Sequence, residues 1–437
     1  MSSPLFKALT EHINRRRARF YMPGHKGELP FPLDGCAPFD VTEVPDTGCL
    51  YDGEGAPVLV EREFSKLYQS GATLLSTGGS TLCIQTMLSL FCPVGSTVIM
   101  TRNAHHAAVN AAALLDLNSH WLIPDEPSGV LTPGRITPAA VEKAIKSAGD
   151  ASAVYITSPD YFGTLCDVAL ISKVCHDNGL PLLIDNAHGA HLKFFSGLHP
   201  IEAGADACCD SLHKTMPALT GAALLHLKEG SLKSEARRRM KHFGSTSPSY
   251  LIMLSADLIL PRWGEIGKGY INLAKKVQKV KTLAKQKGVW ALDDSPLRDP
   301  ARIALLYPEG ENETVKKLLY SLDIEAEYIS PRHIVLLPSP QSDLSVVEKL
   351  INALSDLSED TALLPFVLPE RKLSLRQAAL FEAEEVCVKN SLGRISAVPC
   401  APCPPGTALI MPGEVIDEGV LANLEQYGVD KLFVVKK

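Results

Sequence analysis

Short apolar runs alternate with stretches of helical spacing through the middle of the chain. Ala72–Leu75, Thr97–Met100, Ala153–Thr157, Leu182–Ile184 and Ala222–Leu225 are short runs of mostly apolar and β-branched residues, the pattern of strands buried on both faces. Between them, Leu82–Phe91, Ala104–Leu115, Pro138–Ser147 and Val168–Asn178 repeat apolar residues at helical spacing. This alternation predicts an α/β fold with a mostly parallel sheet covered by helices on both faces. Upstream, a helix is predicted over Pro4–Arg17, a break at Pro23-Gly24, an aperiodic segment rich in Pro, Gly and Asp over 31–56, and a helix over Val58–Tyr68. Downstream, Tyr250–Lys287 reads as one long Lys-rich helix. A smaller α+β unit follows, with strands Arg302–Leu306, Glu325–Ile329 and His333–Leu337, a helix Ser345–Leu357, a helical tail Leu373–Cys387 and a Pro-rich patch Pro399–Pro405. The pattern thus divides the chain into an N-terminal arm (1–56), a large domain (57–287) and a small C-terminal domain (288–437).

Composition narrows the class. With 437 residues, 46% hydrophobic and 21% charged, the chain is an ordinary globular one, long enough for two or three domains. A net charge of -6 without a sustained basic block argues against nucleic acid as a partner. No run reaches the roughly 18 apolar residues of a membrane helix, and the charged N-terminal stretch lacks an apolar signal core. The eleven cysteines are expected to stay reduced, so a cytoplasmic location is expected. Cys400-Ala-Pro-Cys403 lacks a second pair, and Asp185-x-x-His188-x-x-His191 lacks a water-activating Glu nearby, so no metal is expected.

Ligands of open α/β sheets gather at the carboxyl ends of the strands. Most of the residues that suggest chemistry follow a predicted strand. Lys214, in Ser211-Leu-His-Lys-Thr215, has small and apolar residues on both sides and a hydroxyl at each flank. Desolvation lowers the pKa of an amine and frees it as a nucleophile toward a carbonyl, of which the aldehyde of pyridoxal phosphate is the commonest in an enzyme of this size. Thr77-Gly-Gly-Ser-Thr81 leads from a strand into a helix, where N–H groups and hydroxyls can receive a phosphate. Asp185 ends a strand and can keep a pyridinium nitrogen protonated, and Ala187 is small enough for a ring to lie against it. His105, after the Thr97–Met100 strand, can stack on such a ring, and Ser158-Pro-Asp-Tyr161 can serve its 3-hydroxyl side. Taken singly, each has a structural reading: a common Gly turn, a helix N-cap, a satisfied surface His, a solvated Lys. Their order, with Lys214 following Asp185 by 29 residues, is what points to one site.

With these motifs in hand, the chain resembles the Orn/Lys/Arg decarboxylases, pyridoxal-phosphate enzymes of the aspartate aminotransferase fold (fold type I), and most closely their compact, short-chain members. The resemblance runs over nearly the whole length. It rests on PGHKG (Pro23–Gly27), GGSTLCIQ (Gly78–Gln85), RNAH (Arg102–His105), DNAHGAH (Asp185–His191), SLHKTMPALT (Ser211–Thr220), TSPSY (Thr246–Tyr250), GRISA (Gly393–Ala397) and PPG…PGE (Pro404–Glu414). It implies pyridoxal 5′-phosphate as cofactor, carried by Lys214 as a Schiff base. Gly79, Ser80 and Thr81 would cradle the phosphate with Ser211 and His213 beside it, while His105 stacks on the ring, Asp185 binds its nitrogen and Ala187 and His188 line it. It further implies decarboxylation of arginine, lysine or ornithine for polyamine biosynthesis, by a homodimer or larger homo-oligomer in which Ser247 reaches the neighbouring subunit's phosphate.

The sequence departs from the family pattern at Asn186 (usually Glu), Asp160 (Thr), Gly221 (Gln), Val398 (Glu), Cys403 (Tyr) and Thr407-Ala408 (Ile-Pro). Asp160 and Glu414 are candidates to meet the substrate's basic end. Two rivals remain on sequence grounds. One is another fold type I reaction, a transamination or elimination in which Arg394 clamps a carboxylate; the other is a non-catalytic homologue.

Overall fold

A computed structural model describes residues 2–123, 134–293, 295–357, 368–401 and 408–436. Its seven-stranded sheet comprises β1 (Ala72–Ser76), β2 (Thr97–Thr101), β3 (Asn118–Leu122), β4 (Ala151–Thr157), β5 (Leu182–Asp185), β6 (Ala207–Ser211) and β7 (Ala223–Leu227), in the order β1-β7-β6-β5-β4-β2-β3. Strand β2 runs parallel to β3 and β4, and β5 parallel to β6; β7 is antiparallel to both its neighbours, β6 and β1. The architecture is therefore the expected α/β one with a mostly parallel sheet. The helices around it are α1 (Pro4–Asn14), α2 (Ala56–Tyr68), α3 (Gly79–Phe91), α4 (His106–Leu114), α5 (Pro138–Ala148), α6 (Val168–Asp177) and the single turn α7 (Leu212–Thr215). No described helix is long and apolar enough to cross a membrane.

The chain condenses into two compact units, each made of two stretches. The first holds Met1–Phe91 and Pro181–Lys268, the second Cys92–Leu180 and Gly269–Lys437. In the first unit, Leu5 and Leu9 of α1, Val60 and Phe64 of α2, and Leu74, Ile184 and Leu224 of the strands are fully buried. The α1 helix is tied down where the Phe6 N–H donates to Asp257 Oδ2 at 2.8 Å. Fully buried Glu61 of α2 accepts from the Leu75 N–H at 3.1 Å and pairs with Arg237 and Lys233. In the second unit, α5 packs against β2, β3 and α6, and a small antiparallel sheet forms from Ile303–Leu306, His333–Leu336 and Tyr328–Ile329.

Four local expectations need correction. Tyr250–Lys287 is two helices, Tyr250–Asp257 and Trp263–Gln286, because Pro261 offers no N–H to continue the first. The tail Leu373–Cys387 is helical only over Leu375–Leu380, started by a Ser374–Gln377 capping box; Ala383–Cys387 is a strand paired with Lys431–Val435. Strands β3 and β6 were not expected. β3 (NSHWL) is a polar edge strand, and β6 (ACCDS) carries a charge and small residues rather than a β-branched run. Cys403 and Thr407 lie outside the described residues.

Candidate active site

In the first unit three segments converge on Lys214. Strand β6 ends at Ser211, and the chain turns at once into α7, which carries His213 and Lys214. Strand β5 ends at Asp185 and continues as a tight turn through Asn186, Ala187, His188 and Gly189, closed by the Gly189 N–H donating to the Asn186 carbonyl at 2.7 Å. The Ser211 N–H donates to the Ala187 carbonyl at 3.3 Å and joins these two segments. The third is the turn into α3. Gly79 adopts φ +65°, and its N–H donates to the Gly221 carbonyl at 2.8 Å. His213 Nδ1 reaches the Ala222 carbonyl at 3.0 Å, so Gly221-Ala222 bridges the α3 turn to α7. Gly221 itself sits at φ +96°, where an added Cβ would meet the Thr77 carbonyl at 3.2 Å; glycine there follows from the backbone.

Lys214 Nζ lies 2.9 Å from His188 Nε2. An ammonium at Lys214 would donate to this ring nitrogen, the imidazole then carrying its proton on Nδ1. His188, Asp185, Ala187 and Ser211 are buried, whereas Lys214 and His213 are half-buried. Asp185 Oδ1 accepts from the Ala187 N–H at 3.1 Å and lies 3.5 Å from Cys209 Sγ. Burial, followed by the nearby Lys214 charge, pulls the His213 pKa below the ordinary value despite its bond to Ala222. Ser80 and Thr81 open α3, where first-turn N–H groups have no helical carbonyl to meet. Ser211 Oγ is fully buried and has no hydrogen-bond partner among the described residues. Ser247 is exposed in a turn closed by its own N–H on Ser245 Oγ and makes no described bond to the converging segments.

His105 belongs to the second unit. It caps α4, with Nδ1 accepting from the Ala107 N–H at 3.1 Å, and its ring lies 3.8 Å from that of His106. A Nδ1 lone pair used this way leaves the ring proton on Nε2. In the same unit Glu414 is not available for a substrate. Arg102 grips it bidentately at 2.7 Å through both terminal nitrogens, the Met411 N–H adds a third bond at 2.8 Å, and both side chains are 1% exposed. Arg394 is likewise engaged, with Glu384 at 2.6 Å and the Val435 carbonyl at 2.9 Å. Asp160 is buried and accepts from the Thr164 N–H at 2.7 Å.

One layer behind Asp185 lies a group of residues that pattern reading missed. Asn186 Nδ2 donates to Asp210 Oδ1 at 2.7 Å, and Asp210 Oδ2 lies 3.1 Å from His199 Nε2 and 3.4 Å from His226 Nε2. His226 Nδ1 in turn meets Thr73 Oγ1 at 2.9 Å, and Tyr68 packs on His226 with ring centroids 4.2 Å apart. Asn186, Asp210, His199 and His226 are all completely buried. The available signal was a single acidic residue inside the small, apolar run before Ser211. A Glu at 186 would set a second carboxylate against Asp210, so the amide suits this chain.

Comparison with known proteins gives the family and the fold. The family profile described as Orn/Lys/Arg decarboxylase, major domain, matches residues 3–293, and that of the C-terminal domain matches residues 368–427. An arginine decarboxylase of Bacillus anthracis is 28% identical over 97% of this chain and 92% of its own; that of Bacillus subtilis is 25% identical over 95% and 91%. The constitutive lysine decarboxylase of Escherichia coli is 22% identical over 95% of this chain and 76% of its own. A solved structure of Escherichia coli constitutive lysine decarboxylase superposes with a TM-score of 0.79 at 20% identity, covering 100% of this chain and 82% of that one, a likeness of fold.

Proposed function

Because the chain belongs to the Orn/Lys/Arg decarboxylase family, we propose that it removes the α-carboxyl group of a basic amino acid as CO₂, with pyridoxal 5′-phosphate as cofactor and arginine as first substrate. The choice of arginine is supported by four relatives, each matched over more than 90% of its own length, that are named arginine decarboxylases. The observation that carries the proposal is the convergence on Lys214 of His188, the Asp185 strand end and the α3 turn within one unit.

The residues fit this cofactor. Ser211 Oγ, buried without a partner among the described residues, would bind the phosphate together with the N–H groups and hydroxyls of Ser80 and Thr81, the turn at Gly79, and His213. When bound, pyridoxal phosphate supplies an aldehyde for amines and a heteroaromatic ring that takes up the electron pair left by departing CO₂. Asp185 would hold the proton on the ring nitrogen, Ala187 would give the ring a flat seat, and Lys214 would be the amine that anchors it. His188 Nε2 orients Lys214 Nζ, and the pair can return a proton to the substrate α-carbon. His105 would stack on the ring from its place at the start of α4, and Ser247 would serve a partner subunit's phosphate.

A homodimer is supported by the exposed apolar side chains of the arm, Phe20 at 96% and Phe31 at 88%. The described cysteines form no disulfide, which supports a reducing, cytoplasmic setting; a role in polyamine biosynthesis would follow from the amine product.

An assay for CO₂ and amine across arginine, lysine and ornithine tests the reading. Agmatine from arginine, formed without any keto acid, is expected; turnover that needs a keto acid overturns it. Lys214→Ala is expected to lose at least about 10³-fold in turnover, and CO₂ release at the parent rate would refute the role of Lys214.

A further inference from the structure

The Asn186–Asp210 bond is placed where it can govern the active residues without touching them. Asn186 follows Asp185 directly, and His188 sits two residues further along the same turn. The turn is wrapped closely around the Asn186 amide: a Cβ on Gly189 would meet Asn186 Oδ1 at 2.0 Å. Three bonds fix Asn186, from its N–H to the Cys209 carbonyl at 3.0 Å, from its Nδ2 to Asp210 Oδ1 at 2.7 Å, and to its carbonyl from the Gly189 N–H at 2.7 Å. Two of these reach β6, the strand that feeds Lys214. Asp210 is in turn held from the other side by His199 and His226.

We infer that Asp210 is a positioning residue: through Asn186 it sets the direction of the Asp185 carboxylate and of His188 relative to Lys214. This inference rests on the proposed decarboxylase reading. A dipole–charge bond of 2.7 Å in a dry interior is short and strong, and it admits only one orientation of the amide. Losing it would free the turn to relax while leaving every group that meets the cofactor in the chain.

A metal at this place is the competing reading, since His199, Cys208 and Asp210 each offer a ligand atom within 4.8 Å of the others. Both oxygens of Asp210 already face hydrogen-bonding groups, and burial pushes the Cys208 thiol well above the ordinary value, away from the thiolate that a metal would require.

The test is an exchange of the two side chains. Asn186→Asp, Asp210→Asn and the double exchange are compared with the parent in three measurements: melting of the apo chain, affinity for pyridoxal phosphate by absorbance titration, and kcat and KM. Asn186→Ala, which adds no charge, is included as the variant expected to fold. Each single variant is expected to lose at least about tenfold in kcat with KM within about twofold, and the double exchange to recover most of the loss. Unchanged kcat in folded Asn186→Ala, or a double exchange no better than its parents, overturns the inference. So does one equivalent of transition metal per chain in the purified protein. A parent that takes up pyridoxal phosphate but releases no CO₂ would defeat the decarboxylase reading alone, because absorbance and melting still report the coupling.

Discussion

Asp210 in the first unit and Asp160 in the second are both buried, and both stand at or just past the end of a sheet strand, yet they are held in opposite ways. Burial pushes each pKa up. At Asp210 the charge and hydrogen bond of His199, followed by those of His226, outweigh it and hold the carboxyl well below the ordinary range. At Asp160 the bond from Thr164 and the more distant Arg298 and Arg302 do not, and the pKa settles at about 6. Both carboxylates are buried; the difference lies in how many donors touch the oxygens. Depth of burial therefore says little about charge here. The first carboxylate is a fixed anion that anchors a turn, and the second titrates near neutrality.

Replacing Asp210 by Asn should have the largest effect on this contrast. A depressed folded-state pKa contributes stability that is complete above the unfolded value near 4 and is lost as pH falls toward the folded one. Asp210→Asn should therefore destabilise by about 3 kcal/mol at pH 7, with the gap closing in acid. Equal denaturant midpoints at pH 7 would remove the distinction. Asp160→Asn should act with the opposite sign. A raised folded pKa means that the parent loses stability as pH climbs from about 4 to about 6, whereas the variant does not. Relative to the parent it should gain about 1–3 kcal/mol at pH 8 and little at pH 4, read from denaturant unfolding at the two pH values. The smallest effect is expected at Asp167, a partly exposed aspartate whose Oδ1 accepts from the Leu170 N–H at 3.0 Å as the N-cap of α6. Asp167→Ala should cost about 1 kcal/mol, almost independently of pH above about 5. A loss as large as that of Asp210→Asn would mean that partner number is not what ranks these carboxylates.

Much of the large sheet was legible because a strand buried on both faces is mostly apolar; β1, β2, β4, β5 and β7 carry that signature, with single polar residues such as Thr73, Asp185 and His226 among them. β6 escaped because its buried polar residue, Asp210, is paid for by histidines that come from β7 and from a loop, not by anything nearby in the chain. Pro261 and the strand Ala383–Cys387 escaped for the converse reason: a helical period continued past the point where backbone hydrogen bonding could not.

The motifs by themselves determined the family, the cofactor and the ordering of Gly79, Asp185 and Lys214 along the chain, because a turn, a strand end and a nucleophile each demand particular residue types in sequence. Only the tertiary structure decided that Glu414 belongs to Arg102, that Lys214 meets His188, and that Asn186 answers Asp210. Those pairings join residues up to 312 positions apart. Whether a polar side chain faces substrate or a buried partner depends on which donors the fold brings within 3 Å of it, and no local pattern encodes that.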